Sequence, residues 1–197
     1  MHTVYTIGYA TKAIDTFIKQ LQQYDITVVA DVRSVPYSKA FYDYHQEALQ
    51  QHLKSNNIRY VYLGEELGPR SKDPNHYDES NQVQFEKLMT SALFSTGISR
   101  LKTGLDRHFN IALMCAEKDP ANCHRSTLIA YYLARNESIQ IKHITHDGHI
   151  ESQTQLEERL LELTQTQPDL ISSKEECLQR AYYKHIKTTA YRKPADD

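Results

Sequence analysis

Residues Ile26 to Val32, ITVVADV, are apolar and largely β-branched, and no polar alternation interrupts them before Asp31. Such a run is a strand buried on both faces, which a parallel sheet flanked by helices provides. Four more segments fit the same frame: Val4 to Ile7, Arg59 to Leu63, Phe109 to Cys115 and Ile139 to Ile144. Between them the apolar period lengthens from that of a strand to that of a helix. Ile14, Phe17, Ile18 and Leu21 form one helical face after Thr11; Ala48, Leu49, His52 and Leu53 form another within 44–56, where Asn56-Asn57 breaks the pattern. Further helices are predicted over 82–108 with an interruption near Thr96-Gly97, over 123–135, and over 152–165 and 173–189 with Pro168 between them. The chain therefore predicts an α/β fold: a single domain over 1–197 with a mostly parallel five-stranded sheet between helical layers, Rossmann-like and doubly wound.

Composition narrows the function classes. A formal charge of −2 excludes a chain-wide basic character, so contact with nucleic acid or an anionic membrane must rest on a local patch. Three cysteines, an odd number, and a start that enters strand-like sequence directly predict a cytoplasmic protein with free thiols. No apolar run approaches the roughly 18–20 residues that span a bilayer.

In open α/β sheets ligands bind outside the C-terminal ends of the strands. Those positions are Gly8-Tyr9, Asp31-Arg33-Ser34, Gly64-Glu65-Glu66, Cys115-Glu117 and His143-His146, a polar set for one rim. The segment 64–80, GEELGPRSKDPNHYDES, reads as a long polar loop of the kind that covers or lines a site.

The densest stretch is LMCAEKDPANCHRS, Leu113 to Ser126, a strand-to-helix corner where free backbone N–H groups attract anions. Its packing alternative makes Asn122 an N-cap, Asp119 a partner of the helix dipole, Cys115 and Cys123 small buried hydrophobes, and Arg125 the counter-ion of Glu117. Spacing excludes a Cys-x5-Arg phosphatase loop, because position 121 is Ala121, and neither GxxxxGK[ST] nor GxGxxG occurs. A zinc site of Cys115, Cys123 and His124 would require C-x7-C-H spacing to converge, with no CxxC or HxxxH in support, so no metal ligands are assigned and the cysteines read as packing.

Two other features complete the candidates. In ADVRSVPYS, alternation puts Asp31 and Arg33 on one side of the chain, either as an ion pair at the rim or with Arg33 and Arg125 clamping an anionic substrate. In the second case Glu117, Asp31 and His124 are the catalytic candidates, and Tyr9, Arg33, Ser38, Cys115 and Arg125 bind the ligand. The tail RAYYKHIKTTAYRKP carries Arg180, Lys184, Lys187, Arg192 and Lys193 among Tyr182, Tyr183 and Tyr191. It would suit single-stranded nucleic acid, or else it is a helix packing its tyrosines on the domain.

The motifs TIGYA, DVRSVPYS, YLGEELG, LMCAEKDPANCHRS and the terminal AYR, taken in order, resemble the bacterial and archaeal family named domain of unknown function 488. The likeness runs from Thr6 to about Arg192. Ala10 stands where the family's first motif has serine, and Pro69 stands beside Leu67-Gly68 where LGG-like glycines are common. The resemblance implies a shared α/β domain and strand-end pocket and supplies no reaction and no cofactor. The residues favour an enzyme acting on an anionic, nucleotide-like or nucleic-acid-derived substrate, with hydrolytic or glycosyl-transfer chemistry. The rivals are a non-catalytic nucleic-acid-binding module and a Cys/His metal or redox site.

Overall fold

The computed structural model describes residues 2–38, 40–167 and 172–194. Five strands are parallel: β1 (Thr3–Gly8), β2 (Val28–Asp31), β3 (Arg59–Tyr62), β4 (Ile111–Cys115) and β5 (Gln140–Ile144). The expected count of five is corrected by β6 (Ile150–Ser152), an antiparallel edge strand that returns from β5 through the Asp147-Gly148 turn, where Gly148 takes φ 90°. The sequence hid β6 because it is three residues long, too short to show alternation.

The sheet order is β3-β2-β4-β1-β5-β6. It differs from the 3-2-1-4-5-6 order of the Rossmann fold, because β4 lies between β2 and β1. The chain moves one way across the sheet through β1, β2 and β3, then crosses back, so its direction reverses beside β4 and β1. Gly8 pairs with Cys115, and Val32 N–H donates to Met114 O at 3.1 Å. Three strand ends thus meet at one place.

Helices cover both faces. On one face α1 (Ile14–Gln23) and α2 (Gln46–Ser55) bury Phe17, Leu21, Leu49 and Leu53 against Ile7, Val29 and Met114. Asn57, at φ 59°, ends α2 in the left-handed conformation that asparagine tolerates. The other face carries α3 (Gly64–Leu67), α4 (Phe85–Met89), α5 (Ala92–Asp106) and α6 (Tyr131–Asn136) over Val4, Ala30, Leu113 and Ile141.

The 64–80 segment is thus helical at its start and contains a 3-10 turn, Pro74–His76. The interruption expected near Gly97 falls instead at Thr90-Ser91, where the Ser91 hydroxyl caps α5 by accepting from Phe94 N–H at 3.2 Å. Gly97 stays helical and brings α5 close to Leu67; an added Cβ would lie 2.6 Å from that side chain. Two capped helices, α7 (Gln153–Leu163) and α8 (Lys174–Thr189), close the chain. Ser152 and Ser173 each form a capping box with the residue three positions on. Pro168, expected to separate these helices, lies outside the described residues. Among the described residues no helix is long and apolar enough to cross a membrane.

Candidate functional site

The sheet divides the predicted pocket in two. Side chains alternate along a strand, so Asp31 and Arg33 fall on the α1–α2 face while Ala30 and Val32 fall on the other. On the first face Asp31 is fully buried. It accepts from Arg33 Nε at 2.9 Å, Arg33 Nη2 at 2.5 Å, Arg33 N–H at 3.0 Å and the Tyr60 hydroxyl at 2.8 Å. Arg33 donates its remaining nitrogen to Tyr44 O and the Tyr9 hydroxyl, and Tyr9 stacks on Tyr44 at 4.2 Å. Asp31, Arg33 and Tyr9 therefore satisfy one another inside the domain, and of the two readings of ADVRSVPYS the ion pair is the one formed here, with Arg33 held by Asp31 rather than free to clamp a substrate. Ser38 bonds His45 and Ala40 and stands apart from both groups.

On the second face Cys115, Glu117, Cys123 and His124 converge, with one ligand atom from each all within 4.8 Å of one another. This corrects the reading of the cysteines as packing alone. Spacing could not show it, because the loop 116–122 doubles back. Asp119 caps the 3-10 turn Pro120–Asn122 through Ala121 N–H, and both its oxygens are held by Arg159 at 2.8 Å. That clamp delivers Cys123 beside the end of β4. The predicted helix start at Cys123 moves to Arg125, and the first turn, Arg125–Ala130, is π-helical before α6 continues it. Wider turns of this kind often mark functional sites.

Cys123 Sγ donates to Glu117 Oε2 at 2.9 Å. Desolvation by the groups packed around its carboxyl pushes Glu117 up, aided by the Cys123 charge, although the residue is exposed on its cavity side. Burial also acts to raise the Cys123 thiol, yet hydrogen bonding from Cys115 and the charges of Arg125 and His124 hold it well below the ordinary cysteine value. Cys115 is pushed up by burial and by the neighbouring sulfur. His124 Nε2 lies 2.9 Å from Val32 O. A carbonyl only accepts, so Nε2 carries hydrogen and Nδ1 faces the sulfurs of Cys115 at 3.8 Å and Cys123 at 3.9 Å.

Arg125 is fully buried and does not neutralise the Glu117 carboxylate: Nη1 donates to the Glu117 backbone oxygen at 2.9 Å, while Nε and Nη2 have no partner among the described residues. The Glu117 carbonyl also abuts Gly8, where an added Cβ would lie 1.9 Å from that oxygen. Gly8→Ala should therefore push the corner away from β1 and cost about 1–3 kcal/mol, read as a lower urea midpoint at unchanged slope. A wild-type midpoint would refute the close approach.

A cavity of about 250 Å³ opens onto this cluster, with Glu117 and His124 on one wall and Asn122, Pro69, Arg70 and Tyr191 on the others. The sequence did not single out Arg70 and named Tyr191 only as part of the basic tail. The only signals were the long 64–80 segment and the terminal AYR. The tail is strapped over the cavity by Val83 N–H to Tyr191 O at 3.0 Å and by Gln82 Nε2 to Lys187 O and Ala190 O at 3.1 and 3.2 Å. Arg70 lies over the Tyr191 ring at 4.8 Å, and among the described residues no carboxylate pairs with it. A larger hollow of about 470 Å³ between α4 and α8 holds none of the cluster residues.

The basic tail is partly committed to structure. Tyr182 is buried and accepts from Gln153, Lys184 meets Thr166 and Arg180 meets Ser172, while Arg192 and Lys193 join the 81–82 segment through their backbone and remain exposed. Tyr183 remains exposed, with Lys187 over its ring.

The model of the family described as Domain of unknown function DUF488 matches residues 13–132. The chain belongs to the DUF488 family. The DUF488 match spans β2, β4 and the whole cysteine cluster; TIGYA and the terminal AYR, counted in the resemblance, lie outside it. No curated protein and no solved structure matches the chain.

Proposed function

We propose that this protein is an enzyme that acts on a small anionic substrate, nucleotide-like or derived from nucleic acid, in the cavity between the cysteine cluster and the tail. The observation that carries the reading is the pairing of chemistry within one cavity: the Glu117 and His124 side chains on one wall, and on another Arg70, a cation stacked on Tyr191 with no carboxylate partner among the described residues. Arg70's planar fork suits a phosphate or carboxylate, and stacking on Tyr191 orients it. Glu117, at the cavity wall, is placed to move a proton to or from the bound group. At about 250 Å³ the space is slightly below the range of drug-sized sites, so it fits a phosphorylated fragment or one end of a nucleotide. Arg70 takes the anion-binding role that the sequence gave to Arg33 and Arg125.

The test is a thermal-shift panel on the full chain with inorganic phosphate, sugar phosphates and nucleoside monophosphates. A site ligand at 100 times its dissociation constant stabilises by about 2.7 kcal/mol, a rise of roughly 5–10 °C for a domain of this size. Arg70→Ala should remove that rise, while joint neutralisation of Lys184, Lys187 and Lys193 should leave it. A panel with no stabilising anion refutes the reading. Loss of binding only in the tail variant would favour the nucleic-acid-binding module instead.

A further inference from the structure

We propose that Cys115, Cys123, His124 and Glu117 hold one divalent thiophilic cation of the zinc type at the floor of the same cavity. The inference deepens the preceding reading and rests on it for what the ion would act upon, while the ligand geometry stands by itself.

The convergence has the dimensions of a metal centre. A tetrahedral ion at about 2.3 Å from sulfur and about 2.0 Å from an imidazole nitrogen places the two about 3.5 Å apart. His124 Nδ1 lies 3.8 Å from one sulfur and 3.9 Å from the other, within a few tenths of an ångström of that span. Thiolate and imidazole donors together select zinc-type ions over calcium or magnesium, which prefer oxygen.

The surroundings also suit a ligand set. His124 donates its outer Nε2–H to the Val32 carbonyl, the contact that fixes ring and tautomer in metal-bound histidines. Arg125 supplies an independent observation: a fully buried guanidinium, bonded to the Glu117 carbonyl and carrying two nitrogens without partners among the described residues. Two thiolates, one carboxylate and a divalent ion sum to one negative charge. That centre would give Arg125 its missing counter-charge, since a buried cation without one is unfavourable.

The four positions are not equivalent. Cys115, Cys123 and His124 are buried, whereas Glu117 is exposed toward the cavity. Three closed ligands and one that a water or substrate oxygen can displace is the pattern of catalytic rather than structural zinc. Binding forms two metal–sulfur bonds as the thiol protons leave to solvent. No oxidant or reductant is needed.

The experiment uses full-length protein, stripped with chelator under reducing conditions and titrated with Zn(II) or Co(II) alone. Wild type should take up one ion per chain by elemental analysis, and the Co(II) form should show thiolate charge-transfer and tetrahedral d–d absorption. Cys115→Ser and Cys123→Ser should each lose that absorption. Glu117→Gln should keep the ion but hold it roughly 10- to 100-fold more weakly, and because it leaves the core intact it tests the site even if the serine variants misfold. Cys177→Ser, at the remote third thiol, should match wild type. A folded wild type without a bound ion, or serine variants that bind as wild type does, overturns the proposal. Anion stabilisation without metal uptake sinks this inference alone; metal uptake with no stabilising anion sinks only the preceding reading.

Discussion

Arg33→Met should be the most destabilising single change considered, lowering unfolding free energy by about 3–5 kcal/mol, because it leaves a buried carboxylate without its cation. Asp31 is fully buried, and Arg33 supplies three of its hydrogen bonds in addition to the charge; only the Tyr60 hydroxyl would remain beside the backbone N–H of residue 33. Methionine keeps much of the stem volume, so the loss reads the charge and hydrogen bonds rather than a void. The double variant Asp31→Asn/Arg33→Met should recover part of the loss, since removing both charges also removes the cost of burying one alone. Urea unfolding of the four-member cycle decides it. A single variant within about 1 kcal/mol of wild type would show the pair to be solvated, contrary to its burial.

The second large effect is expected on acidification. His143 is fully buried, with Nδ1 accepting from the Thr6 hydroxyl at 2.9 Å and Nε2–H donating to Gln153 Oε1 at 3.0 Å, a network complete only for the neutral ring. Burial pushes its pKa down from 6.5 to about 4; the Gln153 bond opposes this, the charges of Arg125 and Arg159 add to it, and Cys123 opposes. The sign follows from proton uptake. Above about pH 6.5 the ring is neutral in both states and contributes no pH dependence. Between that value and about pH 4 the unfolded chain binds the proton first, so stability falls as pH falls, by about 3 kcal/mol when the window has been crossed. His143→Gln, which keeps a donor and an acceptor but does not titrate, should flatten that limb. Equal acid slopes for variant and wild type would place the titrating group elsewhere.

The residues most informative about the candidate site were visible for different reasons. The five parallel strands could be read because burial on both faces demands continuous apolar runs, and ITVVADV can hardly be anything else. The corner LMCAEKDPANCHRS stood out by composition, yet its geometry ran against its spacing. Cys115 and Cys123 are eight positions apart and meet because Arg159, forty residues further on, clamps Asp119 and folds the loop back. Arg33 and Arg125 looked equivalent in the sequence. One is locked to Asp31, and the other is buried with two nitrogens unpaired among the described residues, a distinction set by which side of the sheet each reaches.

The sequence alone determined the α/β layering, the buried parallel strands, the two terminal helices and the family, because each rests on short-range periodicity or an ordered run of motifs. Only the tertiary structure decided that β4 inserts between β2 and β1, that Asp31 and Arg33 face away from the cysteines, and that Arg70 and Tyr191 wall the cavity with Glu117. Those outcomes depend on which distant segments pack together. Contacts between residues so far apart in the chain leave no local pattern from which to read them.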